Sequence, residues 1–210
     1  VVHAAFRAAW IDPGAVTPSR MKLVLLAAGA SRRMAGRDKL LEEIEGQPLL
    51  RRLALAALAS GVGPVAVTLP PDRPLRAAAI AGLDVISLPV PDASAGMSVS
   101  LRTAAAWAKG NALMVCPADM PEITSEDFST IAKAFDNDVL RATDSTGHAG
   151  HPVVFPASLL PLFAELTGDL GARDILRQHP PRLVALPGFH ATTDLDTPED
   201  WAQWRTRQRS

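Results

Sequence analysis

The chain has almost no cysteine: among its 210 residues only Cys116 carries a thiol. One thiol closes no internal disulfide and builds no multi-cysteine zinc or iron–sulfur centre, so a reducing, cytoplasmic setting is expected. An excess of either charge is also lacking. Lys+Arg number 21 against 22 Asp+Glu, for a formal net charge of −1, and the basic footprint that polyphosphate backbones demand is missing, which argues against a nucleic-acid partner. Long apolar runs are missing as well: the richest stretch, 49–59, is broken by Arg51 and Arg52, and a membrane span needs ~20 apolar residues. There is no low-complexity tract and no internal repeat. Neither the phosphate loop ending in Gly-Lys-Ser/Thr nor the Gly-x-Gly-x-x-Gly dinucleotide fingerprint occurs, so P-loop NTPases and Rossmann dehydrogenases are disfavoured. No Ser–His–Asp or Cys–His set offers itself for nucleophilic catalysis.

What remains is ordinary globular composition, 48% hydrophobic and 20% charged with 14 Gly and 18 Pro, enough for one soluble domain with a real core. Residues 1–20 contain Pro13, Gly14 and Pro18 and give way at Met21 to a strand-like run. They are expected to be an extension preceding the domain, with translated upstream sequence and a short surface helix over 3–11 as the two readings, and 21–210 is expected to be the domain proper. From Met21 apolar runs alternate with helical periods: strands at 22–27, 65–69, 85–88 and 112–116, helices at 49–60, 73–81 and 98–108. Such βαβ rhythm predicts an α/β fold, a mostly parallel sheet flanked by helices on both faces, with ligands outside the carboxyl ends of the strands. After a helix at 126–134 the rhythm loosens into strands at 138–142 and 153–155 and two short helices, and this back half reads as an insertion on the acceptor side of a site. At the end, Thr197-Pro198-Glu199-Asp200 supplies a cap, a Pro at the first helical position and two acids in the first turn, so a last helix should carry Trp201 and Trp204 onto the core.

Five stretches carry chemistry. The strongest is Leu26-Ala27-Ala28-Gly29-Ala30-Ser31-Arg32-Arg33-Met34 followed by Lys39. Small residues after a buried strand let the backbone approach a ligand, and Ser31 with the loop N–H groups can form a nest for phosphate oxygens. Arg32, Arg33 and Lys39 can neutralise the charge that builds on a leaving pyrophosphate. Asp119, at the end of an apolar strand in Pro117-Ala118-Asp119-Met120-Pro121, can hold Mg²⁺, which favours one or two carboxylates plus phosphate oxygens; it can equally be a helix cap. In Asp194-Leu195-Asp196, the two acids point to the same side if the segment is extended, and one of them can complete a metal site. Gly96, Met97, Ser98 and Ser100 stand where a polar loop enters a helix and can read a base edge or ribose, or simply cap that helix. His148 and His151, in a Gly-rich loop, lack the third ligand a zinc site needs, and contact with the acceptor or the nucleotide is the better expectation.

Taken together, Leu-Ala-Ala-Gly-x-Ser-x-Arg-Met with its following Lys, the strand-end Asp before Met-Pro and the terminal Asp-Thr-Pro-Glu-Asp resemble the MobA-like nucleotidyltransferase superfamily, over nearly all of 21–210. Gly96-Met97-Ser98-x-Ser100-Leu101, Gly150-His151-Pro152-Val153 and Thr167-Gly168-Asp169-Leu170-Gly171-Ala172-Arg173 look most similar to its molybdenum cofactor cytidylyltransferase (MocA-type) branch. The resemblance implies a three-layer Rossmann-like fold that uses Mg²⁺ to transfer CMP from CTP to the phosphate of molybdenum-bound molybdopterin, releasing pyrophosphate. Leu26, Ala27, Ala28, Gly29, Ser31 and Arg32, with Gly96, Met97, Ser98 and Ser100, would bind the nucleotide. Arg33, Lys39 and Asp119 would be catalytic, His151 and Arg173 would meet the acceptor, and Asp119 and Asp194 match the metal positions, the second falling on Asp194 or Asp196. A molybdoenzyme would receive the product. The chain departs from the pattern at Ala35, where the family has Gly with Gly36 following here, and at Met120, where many cytidylyltransferases have Gln. The alternatives are GMP transfer from GTP to molybdopterin, nucleotide transfer to another small phosphate, or a non-enzymatic nucleotide- or molybdopterin-binding chaperone.

Overall fold

The structure is a computed structural model that describes residues 21–168 and 171–208. The extension expected over 1–20 lies outside the described residues.

Strand β1 (Met21–Leu26) is apolar on both sides except for Lys22, whose ammonium donates to the Trp107 carbonyl at 2.8 Å, in keeping with a strand covered on both faces. Its Leu23 and Leu25 point into one core cluster and Val24 into another. Beside β1 lie β4 (Val65–Leu69) and then β5 (Ile86–Pro89) in one direction, both parallel to it. On its other side lies the parallel strand β6 (Ala112–Pro117). Beyond β6 come β8 (Ala149–Phe155), antiparallel to it, then β7 (Leu140–Thr143) and β9 (Arg182–Ala185), giving the order β5-β4-β1-β6-β8-β7-β9. A separate hairpin pairs β2 (Glu43–Ile44) with β3 (Gln47–Pro48).

The sheet is clad on both faces. On one, α1 (Leu49–Ala59) and α4 (Ser125–Ala134) bury Leu50, Leu53, Phe128 and Ile131 against it. On the other, α3 (Met97–Ala108), the 3-10 segment Ala157–Glu165 and α5 (Arg173–Gln178) bury Leu101, Phe163 and Ile175. Phe155 and Phe163 meet edge to face at 5.0 Å there. Helix α4 begins in a capping box, Thr124 with Asp127, and α6 (Pro198–Arg207) begins in another, Thr197 with Asp200, as the Thr-Pro-Glu-Asp signature predicts. The short helix α2 (Pro74–Ala79) starts on its Pro.

The alternating front half follows the expected elements to within a residue or two at most ends. The back half corrects the expectation of an insertion: β8, β7 and β9 extend the same sheet, and β9 and the β2–β3 hairpin were not foreseen. Their side chains alternate too little to register, since β9 is an edge strand whose residues are largely exposed. Trp201 and Trp204 do pack inward, edge to face at 6.1 Å, in a third cluster with Met34, Ile44, Leu49 and Leu195. That cluster fastens the last helix to the loop after β1. Among the described residues no helix is long and apolar enough to cross a membrane.

Candidate active site

After β1 the chain moves to β4 and β5 on one side, then returns to β6 on the other. The order therefore reverses between β1 and β6, and a doubly wound sheet leaves a crevice outside the carboxyl ends of two such strands. A cleft of about 560 Å³ opens at that place. The loop after β1 forms one wall, the segment 91–100 another, and Asp119 after β6 stands across from them.

The centre of the cleft is a charged knot assembled from three distant parts of the chain. Lys39, in the 3-10 turn Lys39–Leu41, donates from Nζ to Asp119 Oδ2 and, at 2.6 Å, to Asp196 Oδ1. Arg33 pairs with the other oxygen of Asp196. Burial alone would lower the Lys39 pKa, but the Asp119 and Asp196 carboxylates outweigh it and hold it above the ordinary lysine value, so the ammonium stays charged. Asp196 reaches this place because the segment before α6 is tied down. The Leu195 N–H donates to the Asp119 carbonyl at 3.2 Å. Glu122 accepts from the Thr193 hydroxyl at 3.1 Å and from the Trp204 indole at 3.0 Å.

Asp194 and Asp196 do not share a wall, contrary to their expected common side. Asp196 lines the main cleft, whereas Asp194 lines a smaller neighbouring one with Phe189, Thr192 and Gln203. Partial burial, then the nearby Asp119 and Asp196 carboxylates, push the Asp194 carboxyl above its usual range. Of the two alternatives, Asp196 is the one that faces Asp119 through Lys39. Among the described residues no group of three or more His, Cys, Asp or Glu side chains encloses a metal by itself. Two carboxylates facing an open cleft do fit a hard cation that takes its remaining ligands from phosphate and water.

Of the remaining residues expected at the site, Leu26, Ala28, Gly29, Ser31, Arg32, Gly96, Met97 and Ser100 line the cleft. Ala27 does not: its methyl is buried in the core and its N–H donates to Thr68 Oγ1 at 3.0 Å. Ser98 is likewise buried, with its N–H on the Gly168 carbonyl at 3.1 Å, so its part is to seat α3. The Ser31 hydroxyl is engaged inside the loop, on Asp38 at 3.3 Å and with Arg76 at 3.0 Å. His151 and Arg173 stand outside the cleft lining. His151 lies on β8, beside the end of β6, because the antiparallel register that pairs Val115 with Val153 continues toward it. Burial, then the Arg141 guanidinium, lower its pKa to about 4, so the ring is neutral at pH 7. Arg141 reaches over β8 to the Gly150 carbonyl at 3.0 Å, and burial followed by the charge of Arg173 lowers its own pKa. Gly150 is fixed by packing: a Cβ there would stand 1.7 Å from the Ala191 carbonyl oxygen.

The Ala35 departure has a physical consequence. Ala35 and Gly36 both take positive φ, +49° and +84°, so the alanine occupies a left-handed position. Relieving a misplaced Cβ there gains more than the extra chain freedom of glycine loses. Ala35→Gly should therefore raise stability by about 0.5–1 kcal/mol, or roughly 1–3 °C in Tm. A thermal melt of the two proteins checks this, and a lower Tm in the variant would contradict it.

Sequence reasoning missed Asp38 and Arg76. An Arg in the Ala-rich 73–81 segment reads as a solvent-facing residue, and only its 0% exposure in the fold marks it.

The family model described as the MobA-like NTP transferase domain matches residues 23–183. No curated protein matches the chain in sequence. Among solved structures, Rv0371c from Mycobacterium tuberculosis H37Rv is similar, with a TM-score of 0.77 and 25% identity over 90% of this chain and 98% of that one. A structure of Rv0371c from the same organism in complex with manganese gives a TM-score of 0.74 and 24% identity, covering 87% of this chain and 96% of that one. CMP:2-keto-3-deoxy-manno-octonic acid synthetase complexed with CTP shares the fold at a TM-score of 0.72 and 14% identity, covering 91% of this chain and 99% of that one. With a family model spanning most of the sheet and both strand ends that make the cleft, the chain belongs to the MobA-like NTP transferase family.

Proposed function

We propose that residues 21–210 form one nucleotidyltransferase domain that transfers CMP from CTP to the phosphate of molybdenum-bound molybdopterin and releases pyrophosphate. The observation that carries the reading is Lys39 held between Asp119 and Asp196 at the reversal of strand order. A cation between two carboxylates beside a small-residue loop suits a polyphosphate that brings negative charge and competes for that cation. Ala28 and Gly29 would let the triphosphate approach the backbone, Arg32, Arg33 and Lys39 would bear on the leaving pyrophosphate, and Gly96, Met97 and Ser100 would face the nucleoside. Asp119 and Asp196 would hold Mg²⁺, which supplies charge neutralisation on the phosphates when bound. A phosphate nucleophile is already ionised near neutral pH, so the chain needs no general base and its work is positioning.

His151, Arg141 and Arg173 would face the acceptor. Two guanidiniums close enough to depress one pKa, beside a neutral imidazole near Asp119, suit an anionic second substrate. The CTP choice draws on the branch-specific Gly96-Met97-Ser98 and Gly150-His151-Pro152 signatures. The synthetase that shares the fold is itself complexed with CTP. The product would pass to a molybdoenzyme. The deciding assay is pyrophosphate release with Mg²⁺ and anaerobic molybdenum-bound molybdopterin, offering CTP, GTP, ATP and UTP in turn. Turnover with CTP alone supports the reading; turnover with GTP instead keeps the transferase and overturns the base, and silence with all four overturns both.

A further inference from the structure

We infer that Arg76, from behind the cleft, is the positioning residue that shapes both the phosphate-facing loop and the seat of Lys39; this rests on the nucleotidyltransferase reading above. Its side chain has no exposed surface. All five of its N–H donors have acceptors. Nε donates to Asp38 Oδ2 at 2.8 Å. Nη2 donates to Asp38 Oδ1 at 2.9 Å and to the Ser31 hydroxyl at 3.0 Å. Nη1 donates to the Ala27 carbonyl at 2.5 Å and the Gly29 carbonyl at 2.7 Å. Arg73, one turn before, draws the Ala30 carbonyl at 3.1 Å.

Two consequences follow from elementary geometry. A trans peptide points its C=O and the next N–H in opposite directions. With the carbonyls of Ala27 and Gly29 pulled toward Arg76, the N–H groups of Ala28 and Ala30 are turned the other way, and Ala28, Gly29 and Ala30 line the cleft. The loop becomes an anion-facing nest because a buried cation holds its carbonyls at the back. The second consequence concerns Lys39. Asp38, whose carboxyl stays below its usual pKa because Arg76 outweighs the cost of burial, accepts the Leu40 N–H at 3.1 Å and so caps the turn on which Lys39 sits. One guanidinium thus fixes both the donors that would meet the triphosphate and the lysine that would meet its leaving group. Only a planar five-donor group serves all these acceptors, and a lysine at 76 has three donors from a single point.

The experiment compares the wild type with Arg76→Lys and Asp38→Asn, each shown to be folded by its thermal melt at the assay temperature. Three readouts are taken: amide hydrogen exchange over 27–41, binding of inorganic triphosphate by calorimetry, and kcat and KM for the nucleotide. Exchange over 27–41 should accelerate in both variants while the core strands stay protected. Arg76→Lys should weaken triphosphate binding and raise KM by about 10-fold or more, because the nest is lost. Asp38→Asn should act mainly on kcat, lowering it by about 10- to 100-fold through a displaced Lys39. Unchanged exchange in Arg76→Lys would overturn the clamp whatever the activity. Accelerated exchange with unchanged triphosphate binding and kinetics would overturn its positioning role. A wild type that binds no triphosphate would overturn the nucleotidyltransferase reading and with it this role, while exchange still reports separately whether Arg76 orders the loop.

Discussion

Asp119→Asn is expected to lower pyrophosphate release by at least about 100-fold while leaving the chain folded at the assay temperature. The substitution preserves size and one acceptor oxygen but removes the charge that stands at the end of β6. That charge has two duties. It shares Lys39 with Asp196, and it is one of two carboxylates placed to hold a hard cation against the nucleotide's phosphates. Neither duty builds the core, which lies beneath the strand ends in clusters around β1 and β6. A steady-state assay with a thermal melt alongside separates the cases. Rates within a few-fold of wild type would overturn the site, and a collapse of the melt would show that Asp119 is structural.

Lys39→Met is expected to be nearly as severe, about 100- to 1000-fold in pyrophosphate release, because one ammonium serves as the counter-charge of two carboxylates and faces the leaving phosphates. Removing it leaves Asp119 and Asp196 repelling each other across the cleft, so nucleotide affinity should fall along with the rate. The variant also has a pH signature. The Lys39 pKa is raised in the folded chain above its ordinary 10.5, so its contribution to stability is complete below that value and is lost as pH rises through the raised one. Wild type and variant should therefore differ in Tm at neutral pH and converge in strong alkali. A difference that persists unchanged above the lysine range would mean that the effect comes from packing of the side-chain stem.

The Ser31 hydroxyl shows how a motif can place a residue in the cleft and leave its side chain's partners open. Its place in the loop after β1 was legible, since Ala-Ala-Gly-Ala-Ser after a buried strand is a local pattern. Its direction was not, because the hydroxyl is claimed by Asp38 and Arg76. The same holds for Ala27 and Ser98, which belong to the expected stretches yet spend their side chains on the core or on seating a helix. The sequence could point to a phosphate loop without saying which atoms face the phosphate.

The alternation of short, mostly apolar runs such as Met21–Leu26 and Val65–Leu69 with helical periods determined the parallel front half of the sheet. Local signals also determined the cap of α6, the inward packing of Trp201 and Trp204, and the position of Asp119 at a strand end. These are local properties, written within a few residues of one another. The tertiary structure decided what depends on distant partners: that Lys39 meets residues 80 and 157 positions away in sequence, that Asp196 and not Asp194 faces the cleft, and that Arg76 is buried behind the loop. Charge pairing across such separations leaves no periodic trace, because it arises only when the reversal of strand order brings the ends of β1 and β6 together.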